Sequence, residues 1–257
     1  MTAGYSHDPH PDGAGTDTYT AAAAEFYDLM ATPYIAQVEP VLATLLADVD
    51  TVAGPVIDIG AGTGLSTVAI ADALPDAEIV AVEPSPAMRA VLMSRLAARR
   101  DLRERITVVP HGFLDTNLPE RCAAVAALGV IGHFDAPARR KVWATIANAL
   151  APGASAVIEV QRPGRVAAVS ERRYTRARAG ALRYEGWSRA QPVDAESLVW
   201  RMTYRTYDGD RLLQETVAEH RVWPAASERL TREAEAAGLL PASADADTGL
   251  LRFTKRP

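Results

Sequence analysis

The segment Val56-Ile-Asp-Ile-Gly-Ala-Gly-Thr-Gly64 constrains this chain more than any other. A short strand-type run, β-branched at three of its four positions, leads directly into glycines at positions 60, 62 and 64. An apolar-periodic stretch starts at Leu65. A backbone that leaves a buried strand, turns sharply and enters a helix needs residues without a Cβ at the turn, and the same bareness lets a ligand approach the main chain. Helix N-termini attract anions, so a phosphate site has to be weighed. The spacing argues against a dinucleotide fingerprint, which is G-x-G-x-x-G and requires glycine where Leu65 stands.

The surrounding pattern supplies the frame. Strand-type runs at Pro55–Ile59, Glu78–Glu83, Ile106–Pro110, Ala123–Val130 and Ala154–Val160 alternate with helical stretches at Leu65–Leu74, Pro86–Arg100 and Pro137–Leu150. Pro152-Gly153 stops the last of these. This alternation specifies an α/β fold with a doubly wound, mainly parallel sheet. Upstream, Tyr19–Met30 and Pro33–Val49 read as helices, with Pro40 kinking or splitting the second. After Gln161 the alternation stops. The Arg-rich stretch Arg162–Arg189 reads as helical, and Ser197–Tyr207 with Arg211–Trp223 flank Asp208-Gly209, a two-residue hairpin signal. Ser227–Ala237 reads as a helix closed by Gly238, and Leu250–Thr254 as the last strand. The expected organisation is a disordered tail over residues 1–18 and a helical lid over 19–50. An α/β domain follows, built from 51–161 and 224–257, with an insertion at 162–223 for acceptor binding or homodimer formation.

Composition narrows the function classes. Hydrophobic residues at 48% and charged residues at 23% fit a chain with a buried core rather than a disordered one. A net charge of -5 gives no global positive field for nucleic acid or an acidic membrane surface. Cys122 is the single cysteine and has no internal partner, which fits a reducing compartment. The first residues lack a basic cluster followed by an apolar run, and no stretch of about 18 uncharged apolar residues occurs. The expectation is a cytoplasmic protein with no membrane partner. His7 and His10 lie in a Pro/Gly-rich tail and read as solvated, so no metal is expected. Arginines at 162, 165, 172, 173, 176, 178, 183 and 189, interleaved with Tyr174, Tyr184 and Trp187, suggest an RNA surface. Lys141 and Lys255 are, however, the only lysines among 27 basic residues, which points to coding bias. Nucleic acid is therefore not an expected partner.

Asp58, two residues before the first glycine, together with the G-x-G-x-G spacing, resembles the first motif of class I S-adenosylmethionine-dependent methyltransferases. Residues 55–161 and 224–254 follow that family's order of elements, and Leu150-Ala-Pro-Gly153 matches its Leu-x-Pro-Gly turn. The resemblance implies S-adenosylmethionine as cofactor. Gly60, Ala61, Gly62 and Gly64 would form the loop around its amino acid part, with Asp58 supporting that loop. Glu83 would accept hydrogen bonds from both ribose hydroxyls, with Pro84 and Leu128 beside the nucleoside. A carboxylate suits two donors, and this cofactor has no phosphate to be repelled. His111-Gly112-Phe113-Leu114-Asp115 departs from the family's Gly-Asp. Phe113 stands where the acid belongs and either stacks near the adenine or is a core residue, while Asp115 is the shifted polar candidate.

The acceptor is expected to be a small molecule, methylated at N or O and plausible in secondary metabolism. A general base is needed where it arrives protonated. His133, after the fourth strand at the carboxyl edge of the sheet, is the first candidate, either as base or to orient the acceptor. Glu159 and Gln161, alternating at the end of the fifth strand, point to the same cleft, with an Arg salt bridge as the alternative for Glu159. Tyr19 and Tyr27 on the N-terminal helix would touch the methionine end or the acceptor. Two rivals remain: an S-adenosylmethionine-binding catalyst of cyclisation or rearrangement, and a non-catalytic binding protein.

Overall fold

The computed structural model describes residues 21–256. The expectations for the tail, His7, His10 and Tyr19 lie outside them. In chain order the elements begin with α1 (Ala21–Leu46), β1 (Val56–Ile59), α2 (Leu65–Ala73), β2 (Ile79–Val82) and α3 (Pro86–Ala98). Next come α4 (Arg100–Arg103), β3 (Ile106–Val109), β4 (Cys122–Ala127), α5 (Ala136–Ala149) and β5 (Leu150–Glu159). Four strands follow, β6 (Val169–Ala179), β7 (Leu182–Pro192), β8 (Leu198–Asp208) and β9 (Arg211–Val222). The chain closes with α6 (Ser227–Ala236), β10 (Leu239–Asp245) and β11 (Leu250–Lys255).

Seven strands form one sheet in the order β10-β11-β5-β4-β1-β2-β3. β1 pairs in parallel with β2 and β4, while β11 runs antiparallel to both of its neighbours. β1, β2 and β4 are buried at every position, as strands covered on both faces must be, which explains their unbroken apolar runs. The chain order reverses between β1 and β4, so the crevice at their carboxyl ends is where such a sheet receives ligands. β6–β9 form a second, wholly antiparallel sheet.

α1 joins the two sheets. Val38, Leu42 and Leu46 pack into the core on one face of the parallel sheet. Towards its N-terminus, Phe26 stacks on Tyr204 of β8 at 5.3 Å between centroids and meets Tyr184 edge-on. By length and composition alone, Ala23–Leu46 is apolar enough to cross a membrane, but here its apolar face is spent on these two packings.

Three expectations need correction. The N-terminal stretch is one helix rather than two, and it passes through Pro33 and Pro40. Seven residues apart, the two prolines share one exposed face, so the hydrogen bonds they delete are replaced by water while the opposite face stays buried. Arg162–Arg189 is not helical and supplies β6 and β7, so the insertion is a four-stranded sheet instead of a helix plus hairpin. Arginine favours helices in isolation, and here the tertiary context overrides that preference. β10, which contains Pro241, was not among the expected strands. It is the sheet's edge strand, where a missing N–H is tolerated.

Candidate active site

The turn after β1 is held by short main-chain bonds. The amides of Gly60 and Ala61 both donate to the Val82 carbonyl, and Gly64 donates to Ala61. Gly62 has φ 56°, a conformation that disfavours side chains, and a Cβ there would meet only the Gly60 carbonyl at 3.9 Å. The face of Gly62 is therefore open. Its amide donates to Glu83 Oε2 at 2.8 Å, and the Ser85 amide donates to Oε1 at 2.8 Å. Arg89 donates to the carbonyls of Glu83 and Pro84 and fixes the strand end. Burial raises the Glu83 pKa, and the two amides offset that shift in part.

These groups wall a cavity of about 550 Å³. Of the expected residues, Tyr27, Gly60, Gly62, Glu83, Pro84, Phe113, Leu128 and His133 line it. Asp58, Ala61 and Gly64 stand behind it. Asp58 is fully buried and its Oδ2 accepts from Ser66 and Thr67 at 2.9 and 2.6 Å, tying β1 to the first turn of α2. Its Oδ1 has no partner among the described residues, and burial pushes its pKa up to about 6. Phe113 is buried in the cavity wall, whereas Asp115 is exposed and does not line it.

A second cavity, about 230 Å³, adjoins the first and shares Tyr27, Gly129 and His133 with it. Its far wall comes from the antiparallel sheet through Trp200, Met202, Tyr204 and His220. The sequence reading missed these four, although each lies at the inward parity of β8 or β9 and the alternation of those strands was visible. His133 sits in a short turn, residues 131–133, beyond the end of β4, and its ring meets that of His220 edge-on at 6.0 Å. Burial lowers the pKa of both imidazoles. His220 falls to about 4, with the neighbouring His133 a smaller contributor.

Glu159 and Gln161 hold the loop that carries His133. Gln161 accepts from the Gly132 amide at 2.6 Å and donates to the Gly129 carbonyl at 2.8 Å, and it also lines the second cavity. Glu159 lines neither cavity and, among the described residues, makes no arginine salt bridge. It accepts from the Gly129 amide at 2.7 Å and from the Tyr34 hydroxyl, and burial raises its pKa. The Trp223 amide closes the loop by donating to Gly132 O at 2.7 Å.

Residues 56–153 match the family model described as "Methyltransferase domain". Those residues carry a methyltransferase domain.

The chain is 33% identical over 91 residues to the type II methyltransferase M.XamI of Xanthomonas campestris pv. amaranthicola. That match covers 34% of the present chain and 17% of the relative, so it spans about a sixth of the relative's length. The fold is shared with DesVI of Streptomyces venezuelae, at a TM-score of 0.72 and 18% identity, with 90% of this chain and 95% of that one covered. It is shared too with the sugar N-methyltransferase KedS8 from Streptoalloteichus sp ATCC 53650, at a TM-score of 0.66, 20% identity and coverage of 100% and 99%. A third solved structure is S-adenosylmethionine-bound CalS10 of Micromonospora echinaspora, an amino pentose methyltransferase involved in calicheamicin biosynthesis. Its TM-score is 0.68 at 19% identity, over 96% of this chain and 100% of the other.

The groups present fit S-adenosylmethionine. Each oxygen of Glu83 has one amide donor and so retains acceptor capacity for a hydroxyl. The cavity lies within the roughly 300–1,000 Å³ common for small-molecule sites. Among the described residues no lysine or arginine lines it, as befits a ligand without phosphate.

Proposed function

We propose that this chain is a class I S-adenosylmethionine-dependent methyltransferase that methylates a nitrogen or oxygen atom of a small molecule, with an amino group of a sugar-like acceptor as the preferred case. The observation that carries this is the shared wall of the two cavities, where His133 and Tyr27 face both. S-adenosylmethionine, when bound, supplies an electrophilic methyl group. Gly60 and Gly62 would hold its amino acid part and Glu83 its ribose, with Pro84, Leu128 and Phe113 as apolar walls for the base. Transfer then depends on holding an acceptor atom in line at about 3 Å, where positioning alone is worth many kcal/mol. The small aromatic cavity of the second sheet suits a compact polar ring. His133, kept neutral because burial lowers its pKa, takes the acceptor's proton at an imidazole nitrogen. Gln161 holds the His133 loop and Glu159 supports it from behind. The acceptors named for KedS8 and CalS10, a sugar amine and an amino pentose, support the preference for nitrogen and a place in secondary metabolism.

Calorimetry with S-adenosylhomocysteine, with NADH as control, followed by a methyl-transfer assay on a panel of amino sugars and their hydroxyl analogues, tests the proposal. Binding of the nucleoside and transfer to an amino sugar are expected. NADH binding in place of S-adenosylhomocysteine, or transfer to none of the panel, would overturn it.

A further inference from the structure

A third cavity, about 430 Å³, opens between α1 and β6. It shares Tyr27, Met202 and Tyr204 with the 230 Å³ cavity, so the two are neighbours across the same side chains. Among the described residues none with a formal charge lines it. Its walls are tyrosines, methionines, Gln37 and small residues, with Tyr34 on the helix and Tyr174 on the strand as its outer pair.

Local backbone features show how Tyr174 comes to be there. β6 pairs with β7 as Arg173↔Trp187 and then Thr175↔Gly186, so Tyr174 is an extra residue bulged out of the ladder. A bulge re-aims a side chain. The Tyr174 ring lies across β7 where Gly186 provides space: a Cβ at Gly186 would come within 2.6 Å of Tyr174 Cζ and 2.7 Å of its hydroxyl. Tyr174 is hydrogen-bonded to Tyr204, which faces both cavities. The two outer rings are left 40% and 39% exposed at Tyr34 and Tyr174. A bulge and a mid-strand glycine each weaken a ladder, and here both serve to present one aromatic face to the cleft.

We propose that the Tyr34–Tyr174 cavity is a second acceptor subsite, taking an uncharged ring that extends from the group being methylated. The proposal rests on the methyl-transfer reading above and specifies its substrate class as an acceptor of at least two rings, the outer one flat and without charge. Tyrosine faces stack with such a ring, and their hydroxyls accept or donate to it.

The test uses two probes on the full chain saturated with S-adenosylhomocysteine: the methyl glycoside and the p-nitrophenyl glycoside of glucosamine, each titrated by calorimetry. One stacked ring corresponds to about a tenfold gain, so the aryl glycoside should bind about ten times more tightly than the methyl glycoside. In Thr175→Trp, which fills the cavity from β6, and in Tyr174→Ala, that advantage should vanish while the affinities for the methyl glycoside and S-adenosylhomocysteine stay the same. Equal binding of the two glycosides, no measurable binding of the aryl glycoside, or an advantage that survives both substitutions would overturn the subsite. Failure of S-adenosylhomocysteine to bind would instead overturn the methyl-transfer reading itself.

Discussion

Glu83 carries its charge inside a mostly apolar cavity, with the amides of Gly62 and Ser85 donating to its two oxygens. Hydrogen bonds to a charged group are worth about 1.5–3 kcal/mol, so Glu83→Ala should weaken S-adenosylhomocysteine binding about 10- to 100-fold, read by calorimetry. His133→Ala should behave oppositely, with turnover falling about 10²–10⁴-fold and nucleoside affinity unchanged. An unchanged rate would remove His133 from the chemistry. Asp58 gives a pH signature. Its folded-state pKa of about 6 lies above the ordinary 3.8, so the folded protein binds the extra proton and the penalty for the buried charge fades as pH falls through 6. Wild type should therefore gain in Tm relative to Asp58→Asn as pH is lowered from 7.5 to 5. A constant gap would contradict this. Asp58 was legible in the sequence as a loop support because it sits two residues before the glycines. Its actual partners, the Ser66 and Thr67 hydroxyls, were not, since nothing in the spacing tells which face of a helix meets a strand.

At the scale of elements, α1 and the last two helices make separable claims. Asp28 of α1 accepts from Thr63 at 2.6 Å and pairs with Arg95 of α3, so the helix that carries Tyr27 is fastened to the glycine turn. The pair is about one-third exposed, which limits its worth to roughly 1 kcal/mol or less. Asp28→Ala should thus raise the dissociation rate of S-adenosylhomocysteine only about two- to fivefold, by stopped-flow fluorescence, and less so in high salt. Arg139 of α5 is different. It is 1% exposed, pairs with Glu233 of α6 at 3.0 Å and donates to the carbonyls of Phe134 and Trp223. Glu233→Ala leaves that buried guanidinium uncompensated and should cost about 3–5 kcal/mol in denaturant unfolding. The parallel strands were readable because burial on both faces writes an unbroken apolar run. β6 and β7 were not, because β6 is an exposed edge strand whose arginines show no inward set, and the clearer alternation of Tyr184, Gly186, Ser188 and Ala190 in β7 was masked by the same composition.

Across the whole molecule, recognition is divided between two sheets. The parallel sheet and its glycine turn wall the 550 Å³ cavity, while β8 and β9 furnish the far side of the 230 Å³ one. This division explains the uneven legibility of the site. The first half is encoded locally, in nine consecutive residues and one carboxylate 19 positions beyond them. The second half exists only once β9 has returned to place His220 beside His133, a meeting across 87 positions that no local pattern announces. Among the described residues Tyr27 alone faces all three cavities. A partition wall common to three rooms cannot be shifted for one tenant without altering the others. Linkage makes such influence mutual: by whatever factor an occupied nucleoside room improves or spoils the hold on the acceptor, an arriving acceptor returns that factor to the nucleoside.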